Sequence, residues 1–351
     1  MNKDVLTEDI NIKEIIPLIS PKDLKQKLSL NEKQKEIVYA TRETIKNILT
    51  GQDPRKLAIV GPCSIHDPKA AKEYARLLND LRLKFEDKLY IVMRVYFEKP
   101  RTVIGWKGLI NDPDLDGSCD MPKGLFLARK LLLDIIDLGL PTATEILDPI
   151  SPQYIADLLS WVSIGARTTE SQTHREMASG LSMPVGFKNS TDGSFEVAIS
   201  ALEAAKYQHS FIGIDNDGNT VIVRTKGNPW GHIILRGGKL TPNYQSEFVE
   251  KAVSELEKKG LLSSIVIDCS HANSNKKPEN QIMVMESIIE QINRGNKHII
   301  GFMIESNLQS GSQKIPQDLS QLKYGISVTD ACISWEETAK ILQNFYTKFQ
   351  K

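Results

Sequence analysis

Leu57-Ala58-Ile59-Val60-Gly61-Pro62-Cys63-Ser64-Ile65-His66-Asp67 is the stretch whose reading decides the fold. A short apolar run ends abruptly at Gly61-Pro62 and then presents a cysteine, a serine and a histidine. That is the pattern of a fully buried strand delivering a reactive group at its carboxyl end. Taken alone it fits a core strand and a turn better, with Cys63 as a small buried hydrophobe. What separates the readings is repetition: an apolar strand followed by a charged or metal-binding residue recurs down the chain.

Strand-like runs follow at Tyr90–Val95, Thr142–Leu147, Trp161–Ala166, Pro184–Lys188, His232–Leu235, Ser264–Asp268 and Ile299–Ile304. Helical patterns alternate with them: Ala70 to Leu81, Gly124–Leu138, Pro152–Ser160, Ser171–Ser179, Ser194–Lys206, Gln245–Lys259, Pro278–Arg294 and Trp335–Phe349. Eight strand–helix units of this kind predict a (β/α)8 TIM barrel, and near-continuous apolar strands fit a parallel sheet covered by helices. An open doubly wound sheet would carry fewer repeats and a glycine-rich dinucleotide turn. The predicted barrel spans residues 51–351. Residues 1–50 form an N-terminal arm and helix given to assembly or regulation, the helix carrying Ile37, Val38, Ile45, Ile48 and Leu49. Residues 1 to about 35 show no clear period, and Pro17 and Pro21 break the arm. Its isoleucines, from Ile10 to Ile19, are too apolar for a free tail. Two stretches depart from the repeat. The polar loop Tyr96–Pro122 follows a strand, where a lid or clamp belongs. Phe211–Asp215 and Val221–Thr225 flank Asn216-Asp217-Gly218-Asn219 as an inserted β-hairpin, at the face opposite the chemistry.

The 351 residues hold 44 lysines and arginines against 44 aspartates and glutamates. With no net charge, nothing global draws nucleic acid or a membrane surface, so any anion site is local. Four scattered cysteines and the absence of a leader or spanning run predict a cytoplasmic setting.

In an α/β barrel, catalytic groups converge from the carboxyl ends of several strands. Those ends read Cys63, Arg94, Glu145, Arg167, Lys188, Arg236, His271 and Glu305, with Asp330 after the last. Arg94, Arg167, Lys188 and Arg236, with Lys99 and Arg101 nearby, suit a substrate bearing several negative charges. Cys63, His271, Glu305 and Asp330 suit a divalent transition metal with an open position. His66 and His232 compete for the histidine role. His271 is preferred because Asp268-Cys269-Ser270-His271 sits just past a strand.

Several motifs carry a family resemblance. Gly61–Asp67, Met93–Arg101, Gly165–Ser171, Gly186–Asn189, Leu235–Gly238 and Ser327–Cys332 resemble the type I 3-deoxy-D-arabino-heptulosonate 7-phosphate (DAHP) synthases over essentially the whole chain. His174–Pro184 is most similar to the tyrosine-regulated branch. The resemblance implies condensation of phosphoenolpyruvate (PEP) with erythrose 4-phosphate, the first step of the shikimate pathway. It implies Cys63, His271, Glu305 and Asp330 as ligands of one divalent ion (Mn, Fe, Co or Zn). Arg94, Glu145, Arg167, Lys188 and Arg236 would then line the PEP site, and Lys99, Pro100, Arg101 and Thr102 the erythrose 4-phosphate site. Lys188, Lys99, Cys63 and His271 would form the catalytic machinery. A feedback amino acid, tyrosine ahead of phenylalanine, is expected near Pro152, Gln153, Leu181, Ser182, Phe211, Gly213 and Val223, toward the bottom of the barrel. A homodimer or homotetramer is implied by the apolar arm and hairpin. Cys332 is expected to reach Cys63 and to pair with it oxidatively when metal is absent. The chain departs from the pattern at Ser190 and at Val103-Ile104, neither of which removes a charged or ligating group. Two alternatives stay open: a related synthase using arabinose 5-phosphate, and a non-catalytic phosphometabolite sensor.

Overall fold

The computed structural model describes residues 7–350. The start of the predicted arm and the last residue of the predicted barrel lie outside them. Two helices, α1 (Pro21–Lys27) and α2 (Glu32–Leu49), precede β1 (Lys56–Gly61), α3 (Pro68–Phe85), β2 (Leu89–Arg94), α4 (Met121–Asp137) and β3 (Thr142–Ile146). Then come α5 (Pro152–Ile155), β4 (Trp161–Ile164), α6 (Gln172–Ala178), β5 (Val185–Lys188), α7 (Glu196–Lys206), β6 (Ser210–Ile214) and β7 (Thr220–Arg224). The chain closes with β8 (Gly231–Leu235), α8 (Ser246–Lys258), β9 (Ile265–Asp268), α9 (Gln281–Asn293), β10 (Ile299–Glu305) and α10 (Trp335–Lys348). Eight of the strands form a closed parallel barrel in the order β1-β10-β9-β8-β5-β4-β3-β2. The predicted (β/α)8 barrel is therefore present, and β6 and β7 pair antiparallel as the separate hairpin.

Alternation along the strands sorts the core into two layers. Leu57 and Ile59 of β1 join Val92, Ala143, Trp161, Ile234, Val266 and Met303 inside the barrel. Ala58 and Val60, one residue out of phase, pack with the surrounding helices. Ile45, Ile48 and Leu49 of α2 belong to the inner cluster. So α2 plugs the floor of the barrel, and Ser264 Oγ ties it there by donating to Leu49 O at 2.6 Å.

Local chemistry moved several boundaries. Pro21 does not break the arm; it opens α1, with Ser20 accepting from the Asp23 amide. Residues 1 to 35 are likewise not aperiodic throughout, since Asn31 and Gln34 form a capping box that starts α2. Pro122 sits in the first turn of α4, capped by Asp120, rather than ending the loop. The predicted helix Pro152–Ser160 stops as an α-helix at Ile155, because Arg129, Arg42 and Thr142 take the carbonyls of Tyr154, Ala156, Leu158 and Leu159.

The arm docks from Ile19 onward. Tyr154 OH donates to Ile19 O, and Lys22 donates through its amide to Asn216 O and through Nζ to Asp217 at the hairpin tip. Ile10, Ile12, Ile15 and Ile16 remain exposed in the single chain.

Candidate active site

Gly61 ends β1 at φ +154°, and a Cβ there would stand 2.8 Å from Arg94 O. Only glycine lets β1 close so tightly on β2, and that approach sets Cys63 beside the next strand's arginine. Cys63 Sγ, a Glu305 oxygen and an Asp330 oxygen lie within 4.8 Å of one another. His271 stands at the edge of this trio, its Nε2 3.7 Å from Glu305 Oε1. Its other nitrogen, Nδ1, lies 2.9 Å from Asp268 Oδ2 and 2.8 Å from Ser270 Oγ. A carboxylate on one imidazole nitrogen leaves the other aimed outward, which is how metal-bound histidines are held. The thiolate, carboxylate and imidazole donors fit a divalent transition ion.

Cations surround this cluster. Lys99 Nζ donates to both Cys63 O and Cys63 Sγ at 3.2 Å. Arg94, fully buried, pairs with Glu305 at 2.9 Å, and Lys188 pairs with Glu145 at 2.6 Å. The Tyr96 ring sits among all three: Arg94 lies 3.9 Å, Lys188 5.4 Å and Lys99 5.8 Å from its centroid. The four strand-end cations therefore do not all face substrate as free charges. Two are matched by buried carboxylates, whose desolvation requires such partners. Arg167, exposed, and Arg236, half-buried, form no ion pair with any described residue, and each is within electrostatic reach of the other. Two unpaired guanidiniums together make an anion seat.

The electrostatics follow from burial and neighbours. Burial and the Glu305 carboxylate push the Cys63 thiol up to about 11. Burial opposes ionisation of Glu145, but Lys188 and Lys99 overcome it and hold the carboxyl down at about 2. Lys99 is desolvated too, yet Cys63, Glu305 and Asp330 keep its ammonium charged. Asp330 is held below the usual range: Lys99 and His271 outweigh its own desolvation.

Pro100 is half-buried, and Arg101 and Thr102 are exposed on the loop after β2. Arg101 is close enough to lower Asp330 further. His66 lies half-buried in the loop beyond Cys63. His232 accepts from Trp161 Nε1 at 3.1 Å inside the barrel, and burial pushes it down to about 4. It is a packing histidine near the start of β8, at the end of the barrel away from Cys63.

Leu181 and Ser182 lie on the α6–β5 connection and Phe211, Gly213 and Val223 on the hairpin, and the two segments are tied by the Ser179–Thr225 hydroxyl contact. Pro152 and Gln153 are a correction. They open α5 on the connection leaving the carboxyl end of β3, not at the bottom, and Ser151 just before them donates to Glu98 Oε2 of the catalytic-side loop at 2.9 Å. Sequence reasoning missed Tyr96, Asp268 and Gln281. Gln281 clamps Glu305, donating to its carbonyl and accepting from its amide, both at 2.9 Å. Tyr96 was legible as the residue two past Arg94 on the same face of the extended chain. Gln281 lies too far from Glu305 in sequence to be paired with it beforehand.

Fold and site define a (β/α)8-barrel protein whose rim carries two unpaired guanidiniums beside a Cys63–Glu305–Asp330 cluster able to hold a metal ion. The chain belongs to the DAHP synthetase I family, whose profile matches residues 27–343. It is 55% identical over 346 residues to the Tyr-sensitive phospho-2-dehydro-3-deoxyheptonate aldolase of Escherichia coli K12, covering 99% of this chain and 97% of that one. The Phe-sensitive enzyme of the same organism is 54% identical over 336 residues, 96% of this chain and 95% of that protein. A solved phospho-2-dehydro-3-deoxyheptonate aldolase from Francisella tularensis superposes with a TM-score of 0.94 at 50% identity, covering 97% of this chain and 99% of that one. Among the described residues, no helix is long and apolar enough to cross a membrane.

Proposed function

We propose that this chain condenses PEP with erythrose 4-phosphate and water to give DAHP and phosphate. Membership of the DAHP synthetase I family supports the reaction, and the unpaired Arg167 and Arg236 guanidiniums beside the Cys63–Glu305–Asp330 cluster are the observation that supports this site for it. Cys63, His271, Glu305 and Asp330 would hold one divalent ion (Mn, Fe, Co or Zn), which when bound supplies Lewis-acid polarisation of the aldehyde. Arg167 and Arg236 take the phosphate and carboxylate of PEP by bidentate hydrogen bonds. Lys188, fixed by Glu145 and the Tyr96 ring, presents an ammonium where a proton is delivered or a water oriented. Arg94 is a positioning residue: its pair with Glu305 fixes that carboxylate. Lys99, Pro100, Arg101 and Thr102 receive erythrose 4-phosphate, with Arg101 on its phosphate. Held so, the methylene carbon of PEP attacks the aldehyde carbon, water adds at C2 and phosphate leaves. The cations offset the repulsion between the two phosphates in that geometry.

Feedback inhibition by tyrosine, ahead of phenylalanine, belongs to the hairpin region with Leu181, Ser182, Phe211, Gly213 and Val223. Pro152 and Gln153 would carry its effect to the rim through Ser151 and Glu98. The exposed arm isoleucines support a homodimer or homotetramer. Cys63 and Cys332, both reduced here, are proposed to lose two electrons to dissolved oxygen as a disulfide once metal is stripped. Phosphate release from PEP, with erythrose 4-phosphate or arabinose 5-phosphate, tests the reaction; chelator and each aromatic amino acid test metal and regulation. Release that does not depend on erythrose 4-phosphate would sink the assignment.

A further inference from the structure

A cavity of about 210 Å³ lies at the floor of the barrel, where α2 covers the starts of β2 and β3. Sites for drug-sized molecules run to roughly 300–1,000 Å³, so this one suits an occupant of amino-acid size. Ile37 of α2 and Ile91 of β2 give it apolar walls, and Tyr90 adds an aromatic one. Three charged side chains line the same space, and they differ in what they have left to offer. Arg55 is taken: it chelates Asp53 through Nε and Nη2 and lies 4.9 Å over the Tyr90 ring. Arg82 uses only Nε, donating to Asn79 at 2.8 Å, and no described residue accepts from its terminal nitrogens. Glu86, exposed at the mouth, caps α3 one turn later; its carboxylate lies within electrostatic reach of Arg55 but forms no ion pair with a described residue. The two stand four residues apart, a spacing at which such side chains commonly meet, yet they are not paired.

A free guanidinium and a free carboxylate on one small, apolar-walled cavity are complementary to a zwitterion. We propose that this cavity binds an α-amino acid with an apolar side chain. The ligand's carboxylate lies on the terminal nitrogens of Arg82, its ammonium on Glu86, and its side chain between Ile37 and Ile91. The site stands apart from the hairpin region and does not rest on the feedback reading given to that region. Its occupant braces α2, whose Ile45, Ile48 and Leu49 plug the barrel, so binding raises the melting temperature without touching the chemistry.

Calorimetric titration of the full chain with L-leucine and L-phenylalanine tests this, beside 3-phenylpropionate and phenethylamine, which lack the ammonium and the carboxylate respectively. At least one amino acid binds, and both analogues bind about tenfold or more weakly than it, as expected for a lost charge-assisted hydrogen bond. Arg82→Gln and Ala40→Phe, the latter filling the cavity from α2, each weaken that binding about tenfold or more. Both variants leave DAHP formation and its feedback inhibition unchanged, and far-ultraviolet circular dichroism checks their folding. No binding of either amino acid at millimolar concentration, or undiminished binding in either variant, overturns the proposal. A hairpin variant that abolishes feedback inhibition leaves cavity binding unchanged, so the two readings fail separately.

Discussion

The rim and the floor of this barrel are both buried, and they are filled by opposite chemistry. At the rim, Arg94, Lys188, Glu145 and Glu305 are almost wholly removed from water and compensate one another in pairs. At the floor, the same strands meet Ile45, Ile48 and Leu49 of a helix that precedes the barrel. Buried ion pairs add little to stability against a well-packed apolar alternative, whereas buried aliphatic side chains add a great deal. The molecule thus carries its stability at one end and its reactivity at the other. The (β/α)8 architecture allows this because each strand has one end of each kind.

That division can be broken experimentally. The largest effect is expected from Glu305→Ala, which removes a donor from the Cys63–Glu305–Asp330 cluster and the partner of Arg94. Phosphate release should fall by about a thousandfold, the scale of a lost electrostatic catalytic group; retention of more than a tenth of the activity would show that the cluster is not the reacting centre. At the other end, Ile45→Ala should destabilise the fold by about 2–5 kcal/mol in urea while leaving the rate per folded molecule unchanged. A loss of rate without a loss of stability would contradict the division. Arg167→Ala should weaken PEP about 10–100-fold, the range for a charged hydrogen bond; undiminished affinity would move the anion seat elsewhere.

The smallest effect sharpens the comparison on the rim side, in the loop after β2. Burial pushes the Glu98 carboxyl up to about 7, with Asp148 adding to the shift and Ser151 opposing it. The folded state therefore holds this proton more tightly than the unfolded chain. Its contribution favours folding below the ordinary glutamate range and is lost as pH rises from about 4.5 to about 7. Glu98→Gln should abolish that decline, flattening stability across this window by at most a few kcal/mol. Parallel stability–pH curves for parent and variant would refute it.

Much of the fold was legible because a barrel strand advertises itself. Leu57–Val60 is apolar on both faces, and Gly61-Pro62 marks its end. The hairpin was legible from the turn chemistry of Asn216-Asp217-Gly218-Asn219. Less visible were α1 and the first turn of α4, where a proline that usually interrupts a helix instead begins one behind a Ser or Asp cap. The early end of α5 was hidden for another reason: Arg42 and Arg129, distant in sequence, claim its carbonyls.

The sequence by itself determined which residue types stand at the strand ends, and hence that cations and a set of metal-capable donors gather there. Covalent order fixes that, since a residue following a barrel strand has only one rim to occupy. Only the tertiary structure decided which charges are spent and which are free. Arg94 and Lys188 look the same in sequence as Arg167 and Arg236, but their partners, Glu305 and Glu145, arrive from other strands when the barrel closes. The same closure joined Cys63 to Glu305 and Asp330 and set α2 as the plug of the floor. Those are long-range contacts whose energies depend on distance and burial, quantities that no local stretch of sequence contains.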